Sequence, residues 1–245
     1  MKKIILSTLV AASFAASTES NARNFTGFYV GGNLGATMSK VDYSYDNNTA
    51  AAYSVESSGN AYRNNGLVSL VGGYSYLFSN CLYLGGELFI DGNFGGNNQL
   101  FSNQNISARI KKNGLSYGVL AKFGSTISEN TLLYVGIGGK SDKWDYKTTS
   151  QLIPANLAIG YAGRPAVDFS QSKRSFRLLA EAGLEGYIGS TKHLTWRAAY
   201  QYVPGQSVGS TAFPVGHVLN NATGNSFAKY KSHDHTLRLG IAYHF

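Results

Sequence analysis

The sequence predicts an all-β fold, an eight-stranded antiparallel up-and-down barrel that crosses a membrane. Three observations predict it. From His235 to Phe245 the chain alternates without a slip. Leu237, Leu239, Ile241, Tyr243 and Phe245 lie on one face; Thr236, Arg238, Gly240, Ala242 and His244 lie on the other. Period-two alternation is the mark of a strand with a different solvent on each face. No further segment is expected to cover the apolar face, and in a bilayer it needs no cover. The other two observations are an export-type leader and connectors that alternate between short and long.

The leader comes first in the chain. Met1-Lys2-Lys3 is basic, residues 4–16 are apolar or small, and Ser20-Asn21-Ala22 is a small-x-small cleavage site. This is the form of a secretory signal peptide over residues 1–22, with a barrel domain over 23–245. The apolar stretch is shorter than the roughly 20 residues a spanning helix needs. Mean hydropathy is −0.14, which alone would suit a soluble chain. Yet Gly is 29, Tyr 17 and Phe 13, with 4 Pro and 14% charged residues. That balance suits strands with one lipid face and one crowded interior. The single Cys81 has no partner for an internal disulfide, although export would permit one.

Eight strands follow in order. Strand one, 28–39, shows Phe28, Val30, Leu34 and Met38 on one face. Strand two, 67–78, shows Val68, Leu70, Tyr74 and Phe78. Strand three, 82–91, shows Leu82, Leu84, Leu88 and Ile90. Strand four, 114–124, shows Leu115, Tyr117, Val119 and Phe123. Strand five, 132–141, shows Leu133, Val135 and Ile137. Strand six, 175–188, shows Phe176, Leu178, Leu184 and Ile188. Strand seven, 194–202, shows Leu194, Trp196, Tyr200 and Tyr202. Strand eight is the closing segment. Each meets the 9–11 residues, or slightly more, that a tilted strand needs to cross.

Ser79-Asn80, 125–130 and 189–192 are the short connectors, and 40–66, 92–113, 142–174 and 203–233 the long ones. Short periplasmic turns and long outer loops are the bacterial outer-membrane pattern. An even strand count puts both termini on the periplasmic side. Pro154, Pro165, Pro204 and Pro214 all fall in the last two long loops, outside the expected strands. The rival architecture has ten strands, with 41–45 and 49–55 as a further hairpin; they read better as strand extensions.

Charges test the phase that the apolar residues set. Glu87, Lys122, Lys140, Arg177, Glu181, Glu185, Arg197 and Arg238 all fall opposite the apolar face. A lipid-facing Arg or Lys would cost about 2–4 kcal/mol at mid-bilayer, so the sorting is decisive. Eight strands enclose space only for side chains, so these charges are expected to form a paired internal plug rather than a wide sieve. Phe28, Phe78, Phe123 and Trp196, with Tyr243 and Phe245, cluster near the short turns as an interfacial girdle.

The chain resembles the small opacity-type outer-membrane barrels, the OmpA-type transmembrane domain and related surface antigens. The resemblance rests on TGFYVGGNLG from Thr26, YLGGE from Tyr83, LTWRAAYQY from Leu194 and the closing segment. It implies that Tyr243 and Phe245 are read by the outer-membrane assembly machinery. It also implies a non-enzymatic surface or envelope role, with a narrow porin-like channel, or haem or host-ligand binding, as alternatives. No peptidoglycan-binding domain is expected after Phe245.

The leader carries two basic residues and one acidic, leaving 19 against 12 and a charge of +7. Arg109, Lys111, Lys112, Lys173, Arg174, Lys229 and Lys231 lie at loop bases, an outer rim expected to face lipopolysaccharide phosphates or a host ligand. An exported membrane chain is not expected to bind nucleic acid. His233 and His235 flank Asp234 without a third ligand at diagnostic spacing, so no metal or other cofactor is expected. A lipid hydrolase would need Ser, His and a carboxylate on the lipid face near one rim. His235 has Leu237 and Leu239 beside it there, so no catalytic residue is expected.

Overall fold

The computed structural model describes residues 25–48, 55–79, 81–95, 98–103, 106–112, 114–150, 167–189, 193–216 and 223–245. The expected leader lies outside them, as do Pro154 and Pro165. The strands are β1 (Gly27–Asn48), β2 (Val55–Leu77), β3 (Leu82–Phe94), β4 (Asn98–Asn103), β5 (Ile106–Lys112), β6 (Leu115–Ser128), β7 (Thr131–Ser150), β8 (Val167–Tyr187), β9 (Leu194–Gly216) and β10 (Thr223–His244).

Eight of them close a ring in the order β1, β2, β3, β6, β7, β8, β9, β10, all antiparallel. β10 returns to β1 from Tyr29↔His244 to Asn48↔Asn225, so the closing strand has partners on both sides. β4 and β5 add no stave to the ring. β5 pairs with β7 up to Lys112↔Trp144, in line with β6, which meets β7 at Tyr117↔Ser141. β4 pairs with β5 and prolongs β3 in the same way. The expected loop 92–113 is therefore mostly an outward continuation of the β3–β6 hairpin. In the rival hairpin, 41–45 belongs to β1 and Val55 to β2, and the two pair as one extended ladder; residues 49–54 lie outside the described ones.

The strands outrun the expected lengths. β2 and β9 each have 23 residues, roughly 75 Å of strand at about 3.3 Å per residue. Crossing the hydrocarbon needs about 9–11 residues, so about half of each strand stands beyond it. Two prolines are corrected by this. Pro204 and Pro214 lie inside β9. Pro204 falls where the β9–β10 register slips, between the pairs Ser232↔Gln206 and Asp234↔Val203. β8 pairs with β9 only from Tyr187↔Thr195 to Ala180↔Tyr202. Both prolines thus sit on a one-sided stretch of strand, where a missing N–H is tolerated.

That break has a counterpart across the barrel. β2 pairs with β3 only from Gly66 inward, and no ladder joins β2 to β4 among the described residues. Beyond the closed ring the wall therefore divides into two sheets, β9-β10-β1-β2 and β4-β5-β7-β8, with a seam at each side.

The ring is inside-out relative to a water-soluble protein. Leu34, Leu70, Leu88, Ile137, Leu178 and Leu239 are exposed on its outer face, each above 60%. The inner positions hold the charged set together with Tyr29, Tyr83 and Tyr134. Glycine makes the room. A Cβ on Gly183 would lie 2.6 Å from the Tyr134 ring and 2.9 Å from the Ala198 carbonyl, and one on Gly73 would lie 2.6 Å from the Tyr29 ring. Cys81 is buried and free at the β2–β3 turn, with φ +65°. Overpacking a filled interior costs about 1–3 kcal/mol. Gly183→Ala is accordingly expected to lower folded stability by about that amount in urea unfolding from micelles, and an unchanged midpoint would contradict the packing described.

Candidate functional site

The lumen is built in tiers. Phe25, Tyr83, Leu132, Tyr134 and Tyr187 cluster at its inner end, beneath the first charged tier. There Glu87 of β3 accepts from Lys122 Nζ at 2.5 Å, Arg197 Nη2 at 2.6 Å and the Tyr29 hydroxyl at 2.9 Å. Arg197 Nε lies 3.4 Å from Glu185, which also meets His244 Nε2 at 2.8 Å and accepts from the Thr195 hydroxyl. Lys122 Nζ stands 4.6 Å from the centre of the Tyr134 ring, and that residue's hydroxyl donates to Glu181.

Gln201 joins this tier to the next, donating to Glu181 and accepting from Arg238 Nη2 at 3.0 Å. Arg238 also reaches Asp91 at 2.8 Å, and Lys140 reaches it at 3.4 Å. The outermost tier spans the two sheets. Asp142 of β7 receives Lys112 Nζ at 2.8 Å and Arg177 Nη2 at 2.5 Å. Arg177 continues across the seam to Asp234 and to the Ser232 carbonyl. All of these side chains are buried. Strand parity explains the set, since alternate residues of a strand share a face.

The structure brings Glu87, Lys122, Arg177, Glu181, Glu185, Arg197 and Arg238 into one lumen, with Lys140. Asp91, Asp142, Asp234, Arg63 and His244 join them, although the charge pattern did not single them out. Three of the five, Arg63, Asp142 and Asp234, fall in or beside expected loops. The signal was parity: 140 and 142 share a face of β7, and 238, 236 and 234 share a face of β10. Lys112 is corrected. It is not a rim residue but a buried lumen cation, 2% exposed, because β5 turns that position inward towards Asp142. Arg109, Lys111, Lys173, Arg174 and Lys231 are exposed; the Lys229 side chain lies outside the described ones. Arg174 stacks over Tyr117 at 4.9 Å. Phe28, Phe78, Phe123, Trp196, Tyr243 and Phe245 are exposed.

His233 and His235 do not converge. His233 Nε2 faces Asp42 at 3.4 Å, and His235 Nδ1 meets the Tyr200 hydroxyl at 2.5 Å. No cluster of metal-ligating side chains occurs among the described residues.

The outer membrane protein beta-barrel domain family matches residues 6–245. The chain belongs to this family. It is an outer-membrane barrel protein. Its fold is shared with OprG of Pseudomonas aeruginosa, at 14% identity over 92% of this chain and 99% of that one, with a TM-score of 0.50. Ail of Yersinia pestis matches at 14% identity over 87% and 99%, with a TM-score of 0.37. Neisserial surface protein A matches at 14% over 90% and 98%, with a TM-score of 0.38. No curated protein matches the chain in sequence.

For this outer-membrane barrel the lumen network has a measurable signature. Removing one member of a buried ion pair costs about 3–5 kcal/mol, because its partner stays charged and unmatched. Glu87→Leu, which strands Lys122 and leaves Arg197 with Glu185 alone, should lose about that much in denaturant unfolding. Adding Lys122→Met should recover part of the loss; strictly additive effects would mean that the pair is not coupled.

Proposed function

We propose that this outer-membrane protein is a sealed, non-enzymatic barrel that anchors a tall outer rim for envelope and surface interaction. The observation that carries the reading is the filled lumen. Within the tiers, the cavity beside Glu87, Glu181, Arg197 and Arg238 measures about 10 Å³, space for about one water. A pore needs a continuous path, and here ion pairs cross the barrel from wall to wall. The histidines considered for haem are engaged with Asp42 and Tyr200, which favours a structural role for them. In this reading both termini lie in the periplasm, and Tyr243 and Phe245 present the closing strand to the assembly machinery.

The rim also suits anionic lipid. In the paired register Lys143 stands opposite Arg174. Like charges directly opposed destabilise a sheet unless counter-charge is supplied. Both are exposed, on the sector where Phe176, Leu178, Leu115 and Tyr117 form the adjacent apolar face. Lipopolysaccharide phosphates would supply the missing charge.

Planar-bilayer recording tests the sealed barrel. The refolded protein should give no steady conductance, and reproducible unitary channels would overturn the reading in favour of a narrow pore. Deleting Phe245 should reduce the heat-modifiable, assembled fraction in cells by several-fold, whereas normal assembly would remove the role given to that residue.

A further inference from the structure

Among the described residues, seven lysines and arginines are buried in the lumen: Arg63, Lys112, Lys122, Lys140, Arg177, Arg197 and Arg238. Six have a carboxylate oxygen within 4.0 Å. Arg63 has none among the described residues. Its Nε donates to Asn65 Oδ1 at 2.8 Å and its Nη2 to the Lys112 carbonyl at 3.3 Å, while Nη1 is buried without a partner. A guanidinium that is 2% exposed, hydrogen-bonds only neutral acceptors and feels Asp234 only from beyond 4.0 Å is a poorly compensated charge, and a costly one for a folded interior to hold.

Its surroundings share the deficit. Asn65 Nδ2 and Trp144 Nε1 are likewise buried donors without an acceptor. Trp144 is the register partner of Lys112, whose carbonyl Arg63 holds. Among the described side chains the outer tiers hold the carboxylates of Asp91, Asp142 and Asp234 against five cations, Arg63, Lys112, Lys140, Arg177 and Arg238. The imbalance is two positive charges, and it falls at the outer end of the lumen. Arg63 and Asn65 belong to one outer sheet, Lys112 and Trp144 to the other.

We propose that this outer end is a binding site for a doubly charged tetrahedral oxyanion, the phosphate class, held by Arg63 with Asn65 Nδ2 and Trp144 Nε1 as further donors. The charge of a phosphate monoester matches the excess of two. Its several acceptor oxygens serve donors from both sheets at once, and arginine suits it because its donors form a fixed fork. Bound there, the anion ties the two sheets together across the seam between β2 and β4. The site does not depend on whether the lumen conducts.

The test uses the full refolded protein in neutral detergent micelles. Inorganic phosphate is titrated against sodium chloride at matched ionic strength, with the thermal midpoint and phosphorus NMR linewidth as readouts. The expected result is a saturable rise in midpoint and line broadening with phosphate but not with chloride. Arg63→Met should weaken phosphate binding at least tenfold and, in chloride alone, leave the barrel no less stable than the wild type. Trp144→Phe keeps the ring, removes the donor and should weaken binding several-fold. Competition by glucose 1-phosphate but not by a short-chain phosphatidic acid would assign the site to soluble phosphates, and the reverse would assign it to a lipid headgroup. A midpoint that responds equally to phosphate and chloride, or a wild type and Arg63→Met that respond alike, would overturn the proposal.

Discussion

A closed ring of eight strands turns half of its side chains towards one another, and they have nowhere else to go. That constraint governs the rest of this molecule. The outer face can be apolar because lipid receives it. The inner face has to match most of its charge from within, because the interior is too narrow to admit much water. Lys122, Arg197 and Tyr29 therefore converge on Glu87, and Lys112 and Arg177 on Asp142. The glycines follow from the same constraint. Gly73 and Gly183 are the empty places opposite Tyr29 and Tyr134, and those rings stand beside the Lys122 ammonium.

Much of this was legible in sequence because a strand carries its own ruler. Once Leu237, Leu239 and Ile241 mark the lipid side, parity assigns Arg238 to the interior with no further information. The same ruler ran past the ends of the expected strands, where the apolar half of the pattern fades above the bilayer. Asp142 and Asp234 kept the inward phase without apolar neighbours on the alternate positions, and Arg63 with only Tyr62 beside it, so they resembled loop residues. Lys112 illustrates the complementary difficulty. It belongs to β5, a strand short of apolar outward residues, and its inward turn depends on pairing with β7, which is distant in sequence. Proline was misleading for a related reason. Pro204 excludes a strand with neighbours on both sides, not one whose second neighbour has already departed.

Family and geometry bear on different parts of the chain. Family membership covers residues 6–245 and fixes the ring and its membrane. It is silent on what the outer half does. There, among the described side chains, Lys143 faces Arg174 on the outer surface, and buried cations outnumber carboxylates inside, with Arg63 the extreme case. Both leave positive charge in excess there, beyond the closed ring.

The two seams have a mechanical meaning. A continuous cylinder transmits any local change of register around its whole circumference, because each strand's hydrogen bonds fix its neighbour's. Here that transmission stops where Ala180 leaves Tyr202 and where Gly66 leaves Phe94. Beyond those points each sheet of four strands can tilt, lengthen or be re-sequenced without requiring the ring below to slip. The membrane-embedded part is thereby insulated from variation in the exposed part, and the ionic contact of Arg177 with Asp234 acts as a strap across an expansion joint rather than as a rung of the wall.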